Sequence, residues 1–223
     1  MFGAMPFFPP ILAVCAALAA VLAIRAHYLD ESRRWQVYAF KPLATLLILA
    51  LALSLSSDKP AEYRWTIAAG LLFSMAGDVF LMLPRDRFVA GLASFLVAHL
   101  LYIWAFGIGV PFGAAPLLWL PYAAFGGTVL VLVWPGLKPA LRAPVTAYVA
   151  VIVAMAGQAA GRWNMLGDGL ALAAAVGAGF FVLSDAVLAI DRFRRHFHAA
   201  RAVTLTTYWV AQLLIALSIS GAY

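Results

Sequence analysis

Two aspartates stand inside long apolar stretches: Asp78 in Gly77-Asp78-Val79-Phe80-Leu81 and Asp185 in Ser184-Asp185-Ala186-Val187-Leu188. Two carboxylates brought together in a low-dielectric site divide their roles, one carrying the proton and the other the charge. Such a pair supplies a general acid and a stabilising anion in one place, which suits reactions in which a proton is delivered as positive charge develops. Asp78 precedes Pro84, and Asp185 precedes Arg192, by nearly the same number of residues. At a helical rise of ~1.5 Å per residue, both fall about 9 to 10 Å inside the same boundary. An ionisable side chain inside a membrane costs roughly 2.5 to 3.5 kcal/mol even on the lenient insertion scale, so both are expected to face the interior and to be functional.

Other polar residues fall near that level. Thr45, Ser94, Tyr148, Thr207 and Tyr208 lie within about two turns of the same boundary, and His99 and Gln212 about one turn deeper. With Ser184 beside Asp185, these predict a cavity opening at one face, with Lys41 and Arg142 at its rim to neutralise a phosphate. Asp86 and Asp191, in basic connections, read as solvated partners of neighbouring arginines. His99 is the one histidine placed within a span, whereas a catalytic zinc typically takes three protein ligands, so no metal is expected. Phosphate-loop, dinucleotide and nucleophile-elbow motifs are absent, and no cofactor is expected. Cys15 is the single cysteine, which excludes a disulfide framework; it reads as a buried free thiol.

The elements that must position these groups follow from composition. Of 223 residues, 65% are hydrophobic and 11% charged, and the mean hydropathy is +0.97. Soluble domains carry about 45 to 50% apolar and about 25% charged residues, so a soluble enzyme, a disordered chain and a nucleic-acid binder are excluded together. The class is an all-α integral membrane protein whose partners are membrane lipids and not nucleic acid. Continuous apolar runs predict eight transmembrane helices, at 10–28, 36–55, 65–83, 88–107, 115–134, 141–160, 168–190 and 203–221, forming one domain over 1–223. The connections after the odd-numbered helices hold Arg25, Arg33, Arg34, Lys41, Arg85, Arg87, Lys138, Arg142, Arg192, Arg194, Arg195 and Arg201. The opposite side holds Lys59, Arg64 and Arg162. By the positive-inside rule the first group is cytoplasmic, in a multi-pass cell-membrane protein with both termini on the non-cytoplasmic side. The net charge of +6 then reflects topology and anionic headgroups.

The halves also resemble each other under a shift of four helices. Asp78 with Asp86-Arg87-Phe88 matches Asp185 with Asp191-Arg192-Phe193, and Ser94-Phe95 through His99 matches Thr207-Tyr208 through Gln212. Lys41-Pro42 likewise matches Arg142-Ala143-Pro144. A shift of four preserves direction, which predicts a parallel 4+4 internal repeat about an axis along the membrane normal.

Lys41-Pro42, Gly77 to Leu81, Gly91-Leu92 through His99-Leu100-Leu101-Tyr102, Tyr148, Phe181 to Leu188, and Thr207-Tyr208 through Gln212 together resemble the YhhN family of multipass membrane proteins, which includes animal lysoplasmalogenases. The likeness spans about 10–220. It implies hydrolysis of the vinyl ether of a lysoplasmalogen, a lysophospholipid substrate, to a fatty aldehyde and glycerophospho-ethanolamine or glycerophospho-choline. Protonation of the vinyl β-carbon gives an oxocarbenium ion, water traps it as a hemiacetal, and collapse releases aldehyde and alcohol. That route needs an acid and an anion but no nucleophilic Ser or Cys, which fits Asp78 and Asp185 as catalytic residues. Lys41, Thr45, His99, Arg142, Tyr148, Ser184, Tyr208 and Gln212 are the candidates for binding and orienting the substrate. A proton-coupled carrier using the same two acids is the alternative, although carriers often break their helices at the midplane. An intramembrane aspartyl protease is disfavoured, because Met75-Ala76-Gly77-Asp78 lacks the Gly-x-Gly-Asp signature of that class.

Overall fold

The computed structural model describes residues 8–84 and 86–221, so Arg85 of the basic group lies outside the described residues. Among the described residues, eight helices, each with its flanking turns, are long and apolar enough to cross a membrane. They are α1 (Phe8–Ala26), α2 (Trp35–Ser54), α3 (Ala61–Met82), α4 (Phe88–Gly107), α5 (Leu120–Val133), α6 (Pro139–Leu166), α7 (Gly169–Phe193) and α8 (Ala200–Leu217). Connections are short, so consecutive helices run antiparallel. In a membrane the helix is favoured because it satisfies its own backbone donors and acceptors.

Two spans differ most from the sequence reading; α3 and α8 also start a turn early, at Ala61 and Ala200. Helix α5 is shorter than 115–134: Pro116, Pro121 and Pro135 remove backbone donors, and 3₁₀ turns at Pro116–Trp119 and Trp134–Gly136 flank it. Helix α6 runs past 160 to Leu166 because Arg162 is no boundary residue. Its side chain is 5% exposed, stacked over the Tyr63 ring at 4.9 Å.

Arg162 illustrates how the end with few cations uses them. Its Nη1 donates to Ile108 O at 2.6 Å and Phe106 O at 3.4 Å, at the C-terminus of α4. Arg64 Nη2 donates to Leu55 O at 2.8 Å at the end of α2, and Lys59 Nζ to Ser220 O at 2.8 Å just past α8. Burial holds the Lys59 ammonium below its ordinary pKa, against the opposing pull of Asp58. The fourth helix ending here, α6, closes on Gly167 in the left-handed region, φ +67°. All four C-terminal carbonyl clusters at this end are thereby met by a cation or a glycine turn.

Small residues set the packing. On α1, Ala16, Ala19, Ala23 and Ala26 face the bundle while Ile11, Val14, Leu18 and Val21 face out, as does Cys15, contrary to the expected buried thiol. A Cβ at Gly77 would stand 2.6 Å from the Phe95 ring, so this glycine lets α4 lie against α3 beside Asp78. On α7, a Cβ at Gly177 would stand 2.9 Å from Ala211 O of α8. The tightest neighbours are α7 with α8, α3 with α4 and α1 with α2. The adjacencies α1–α2, α2–α3, α3–α4 and α2–α8 recur four helices on as α5–α6, α6–α7, α7–α8 and α6–α4. The recurrence breaks at α5, which also packs on α7, and at α1, which packs on α8.

Candidate active site

Asp78 is 2% exposed, so its carboxylate depends on protein donors. Lys41 Nζ on α2 lies 3.2 Å from its Oδ1 and 3.4 Å from its main-chain oxygen. Thr45 Oγ1, one turn further along α2, donates to Oδ2 at 3.0 Å, and the Tyr208 hydroxyl of α8 donates to the same oxygen at 2.7 Å. Trp209 Nε1 then donates to Thr45 Oγ1 at 3.2 Å. An ammonium and two hydroxyls on one carboxylate form a donor set suited to the ionised state.

Asp185 is placed differently. Among the described residues its one hydrogen-bond partner is the Tyr148 hydroxyl of α6, which donates to Oδ2. The carboxyl lines two cavities at once. One is a polar cavity of about 680 Å³ that opens at the basic end, between the α1–α2 connection and α2, α3, α7 and α8, and that also reaches Asp78. The other is a narrow apolar groove between α4, α5, α6 and α7, walled by Leu92, Phe125, Gly126, Val129, Val149 and Ile152. Leu81, Phe88, Phe95 and Leu188 border both, so Asp185 marks the junction. Helices α3 and α7 run unbroken past their aspartates.

The residues singled out in the sequence divide into three groups. Lys41, Thr45, Tyr148 and Tyr208 bond the two aspartates, and Ser184 lines the polar cavity while its Oγ ties α7 to Thr204 O of α8 at 3.0 Å. His99 and Gln212 stand behind the site and line neither cavity. His99 packs edge-on against Tyr148 and Phe181, and Gln212 Oε1 accepts from Tyr102 at 2.7 Å. Arg142 is not at the cavity rim: it is exposed and lies over the Trp134 ring at 5.1 Å. Lys41 is no free rim cation either, being 6% exposed and committed to Asp78. Asp86 does pair with an arginine, Arg192, at 2.8 Å, and the Phe88 amide and Arg192 hold its carboxyl below the usual range. Asp191 instead pairs with His196 at 2.8 Å, because the chain turns back after α7. Among the described residues, no three His, Cys, Asp or Glu side chains converge as metal ligands.

Sequence reasoning missed Trp209, Arg201 and His27. Arg201 carried a usable signal, since it precedes Tyr208 by two turns on one face of α8.

The YhhN family model matches residues 36–219, the segment that carries both aspartates and their partners. This chain belongs to the YhhN family. Among its family relatives, the human protein named lysoplasmalogenase TMEM86B is 41% identical over 189 residues, covering 85% of this chain and 77% of the human one. Human lysoplasmalogenase TMEM86A is 37% identical, covering 78% of this chain and 72% of its own. The Escherichia coli O157:H7 protein described as uncharacterized membrane protein YhhN is 31% identical, covering 93% and 97%. No solved structure matches this YhhN chain.

Proposed function

We propose that this protein is a membrane-embedded hydrolase that cleaves the vinyl ether of a lysoplasmalogen. The observation that carries the reading is the position of Asp185, at the meeting of a polar cavity and an apolar groove and beside a second, fully bonded carboxylate. A single-chain lipid has the same division: a headgroup for the polar cavity, one hydrocarbon chain for the groove, and the vinyl ether where they join. Helices α4 and α5 flank that groove without packing closely on each other, which favours entry of the chain from the side.

In the proposed reaction Asp185 carries the proton and Asp78 the charge. Asp185 gives its proton to the vinyl β-carbon, and its new negative charge faces the oxocarbenium ion that results. Water adds to the oxygen-bearing α-carbon of that ion, its proton returns to Asp185, and the resulting hemiacetal passes its hydroxyl proton to the departing glycerol oxygen as it collapses to aldehyde and alcohol. Asp78, anchored by Lys41, Thr45 and Tyr208, keeps a negative charge beside Asp185 that favours its proton-bearing form. Tyr148 fixes the Asp185 carboxyl in the cavity. The names of the human relatives support the substrate class. The basic end is read as cytoplasmic, with both termini across the membrane, and the two halves as a parallel repeat.

The test is aldehyde release by the purified protein from a 1-alkenyl lysophospholipid, set against 1-alkyl and 1-acyl lysolipids of equal chain length. Aldehyde from the alkenyl lipid alone is the expected result. No aldehyde, with substrate-dependent uptake into vesicles, would replace the hydrolase with a carrier.

A further inference from the structure

Most cations lining the polar cavity are committed to acids. Lys41 lies 3.2 Å from Asp78, Arg34 lies 3.5 Å from Glu31, and Arg192 lies 2.8 Å from Asp86. Arg201, in the first turn of α8, has no acid partner among the described residues. Its Nη1 is instead 3.2 Å from His27 Nδ1, at the end of α1. A guanidinium can only donate, so Nδ1 of His27 must accept, which places the imidazole proton on Nε2. Arg201 then keeps further N–H groups, and His27 one N–H, with no acceptor assigned. Burial, reinforced by Arg201, Lys41 and Arg34, lowers the His27 pKa to about 4, which agrees with a neutral ring.

The pair is also held in place. The Tyr28 hydroxyl donates to His198 O at 2.9 Å and the two rings lie 4.9 Å apart, tying the α1–α2 connection to the α7–α8 connection. Arg201, Thr204, Leu205 and Tyr208 line the cavity along one face of α8. The two turns from Arg201 to Tyr208 rise about 10 Å, and Tyr208 bonds Asp78. In an alkenyl lysolipid the bonds from phosphorus through glycerol to the vinyl β-carbon, at about 1.5 Å each and staggered, span a similar distance. Asp30 and Glu31 line the same mouth from the α1–α2 connection, Glu31 already facing Arg34.

We propose that Arg201 and His27 form the subsite that binds the phosphodiester of a single-chain lipid headgroup. Its register with the aspartates rests on the hydrolase reading; the binding itself does not. The experiment therefore measures binding with a ligand that cannot be cleaved, a 1-alkyl lysophosphocholine in neutral detergent, by tryptophan fluorescence. A 1-alkylglycerol of equal chain length, inorganic phosphate alone, and nanodiscs of anionic two-chain lipid serve as comparisons. Arg201→Gln is expected to weaken the lysophosphocholine about tenfold and to leave the alkylglycerol unchanged, with Arg201→Lys between and Arg25→Gln without effect. Equal losses on both single-chain ligands, or no loss on either, would overturn the subsite. So would inorganic phosphate binding at Arg201 as tightly as the lysolipid, or an effect confined to the two-chain lipid, which would make Arg201 a bilayer contact. Arg201-dependent binding without aldehyde release would keep the subsite and remove the proposed reaction. Aldehyde release with Arg201-independent binding would do the reverse.

Discussion

Asp78 and Asp185 occupy matching places on α3 and α7, yet their surroundings differ at each matched position. Lys41 reaches Asp78 from α2, while its counterpart on α6, Arg142, turns outward onto Trp134 and leaves Asp185 without a cation. Tyr208 of α8 gives Asp78 a hydroxyl, whereas the residue that matches it on α4 is Phe95, which has none to give. Asp185 keeps one phenol, from Tyr148, and faces both cavities. The difference in donors is what the proposed reaction uses: the carboxylate with fewer partners takes the role of acid, and the one with more takes the role of fixed anion. Asp78 is engaged by three side-chain donors, whereas Asp185 is engaged by one and borders both cavities.

The largest effect that could break this division is on turnover. Asp185→Asn should lower kcat roughly 10³-fold, within the range for removing a general acid. It should cost less than about 1 kcal/mol in stability, because the Asn oxygen can still accept from Tyr148. Asp78→Asn should lower turnover less, about 10²-fold, but destabilise by roughly 3 to 5 kcal/mol, since it strands the buried Lys41 ammonium. Thermal unfolding beside aldehyde release separates the two. Adding Lys41→Met to Asp78→Asn should restore most of the stability and none of the rate. If the single variants lose stability equally, the two carboxylates are not differently held.

Much of this was legible in the sequence because the bilayer makes every polar residue informative. Eight apolar runs gave the spans, and α4 matches its expected bounds at both ends, as no proline or buried charge disturbs it. The level of the two aspartates and of the hydroxyls that meet them was readable from depth, but Ser94 and Thr207 share that level and donate to carbonyls of their own helices instead. What depth cannot supply is rotation about the helix axis. Lys41 and Arg142 share a depth and a neighbouring proline, and nothing in their spacing says that one side chain points in and the other out. His99 and Gln212 were placed at the right level but behind the cavities, for the same reason. Arg162 misled at the end of α6, since hydropathy counts a guanidinium as a boundary even when carbonyls of a neighbouring helix satisfy it.

A smaller effect sharpens the comparison from the Asp78 side. Tyr208→Phe makes α8 match α4 at this position and removes one donor from Asp78 Oδ2, leaving Thr45 and Lys41. The loss of one hydrogen bond to a charged group, about 1.5 to 3 kcal/mol at most, should appear chiefly in turnover, as a decrease of about tenfold. A Tyr208→Phe protein with unchanged kcat would mean that the charge on Asp78 does not influence Asp185.

The smallest expected effect concerns Arg142, and it is the sharpest test of the asymmetry because spacing alone assigns this residue to the site. An exposed cation over an aromatic ring contributes about 0.5 to 1 kcal/mol, so Arg142→Gln should shift stability by no more than that. Since the side chain lines neither cavity, kcat and KM for an alkenyl lysolipid should stay within about twofold of the parent protein. Lys41→Met, the matched change on α2, should instead damage both stability and turnover through Asp78. A tenfold rise in KM for Arg142→Gln would show that α6 presents a cation to the substrate after all. The two half-sites would then be closer to equivalent than their hydrogen bonds imply, and the assignment of the proton to Asp185 would lose its main support.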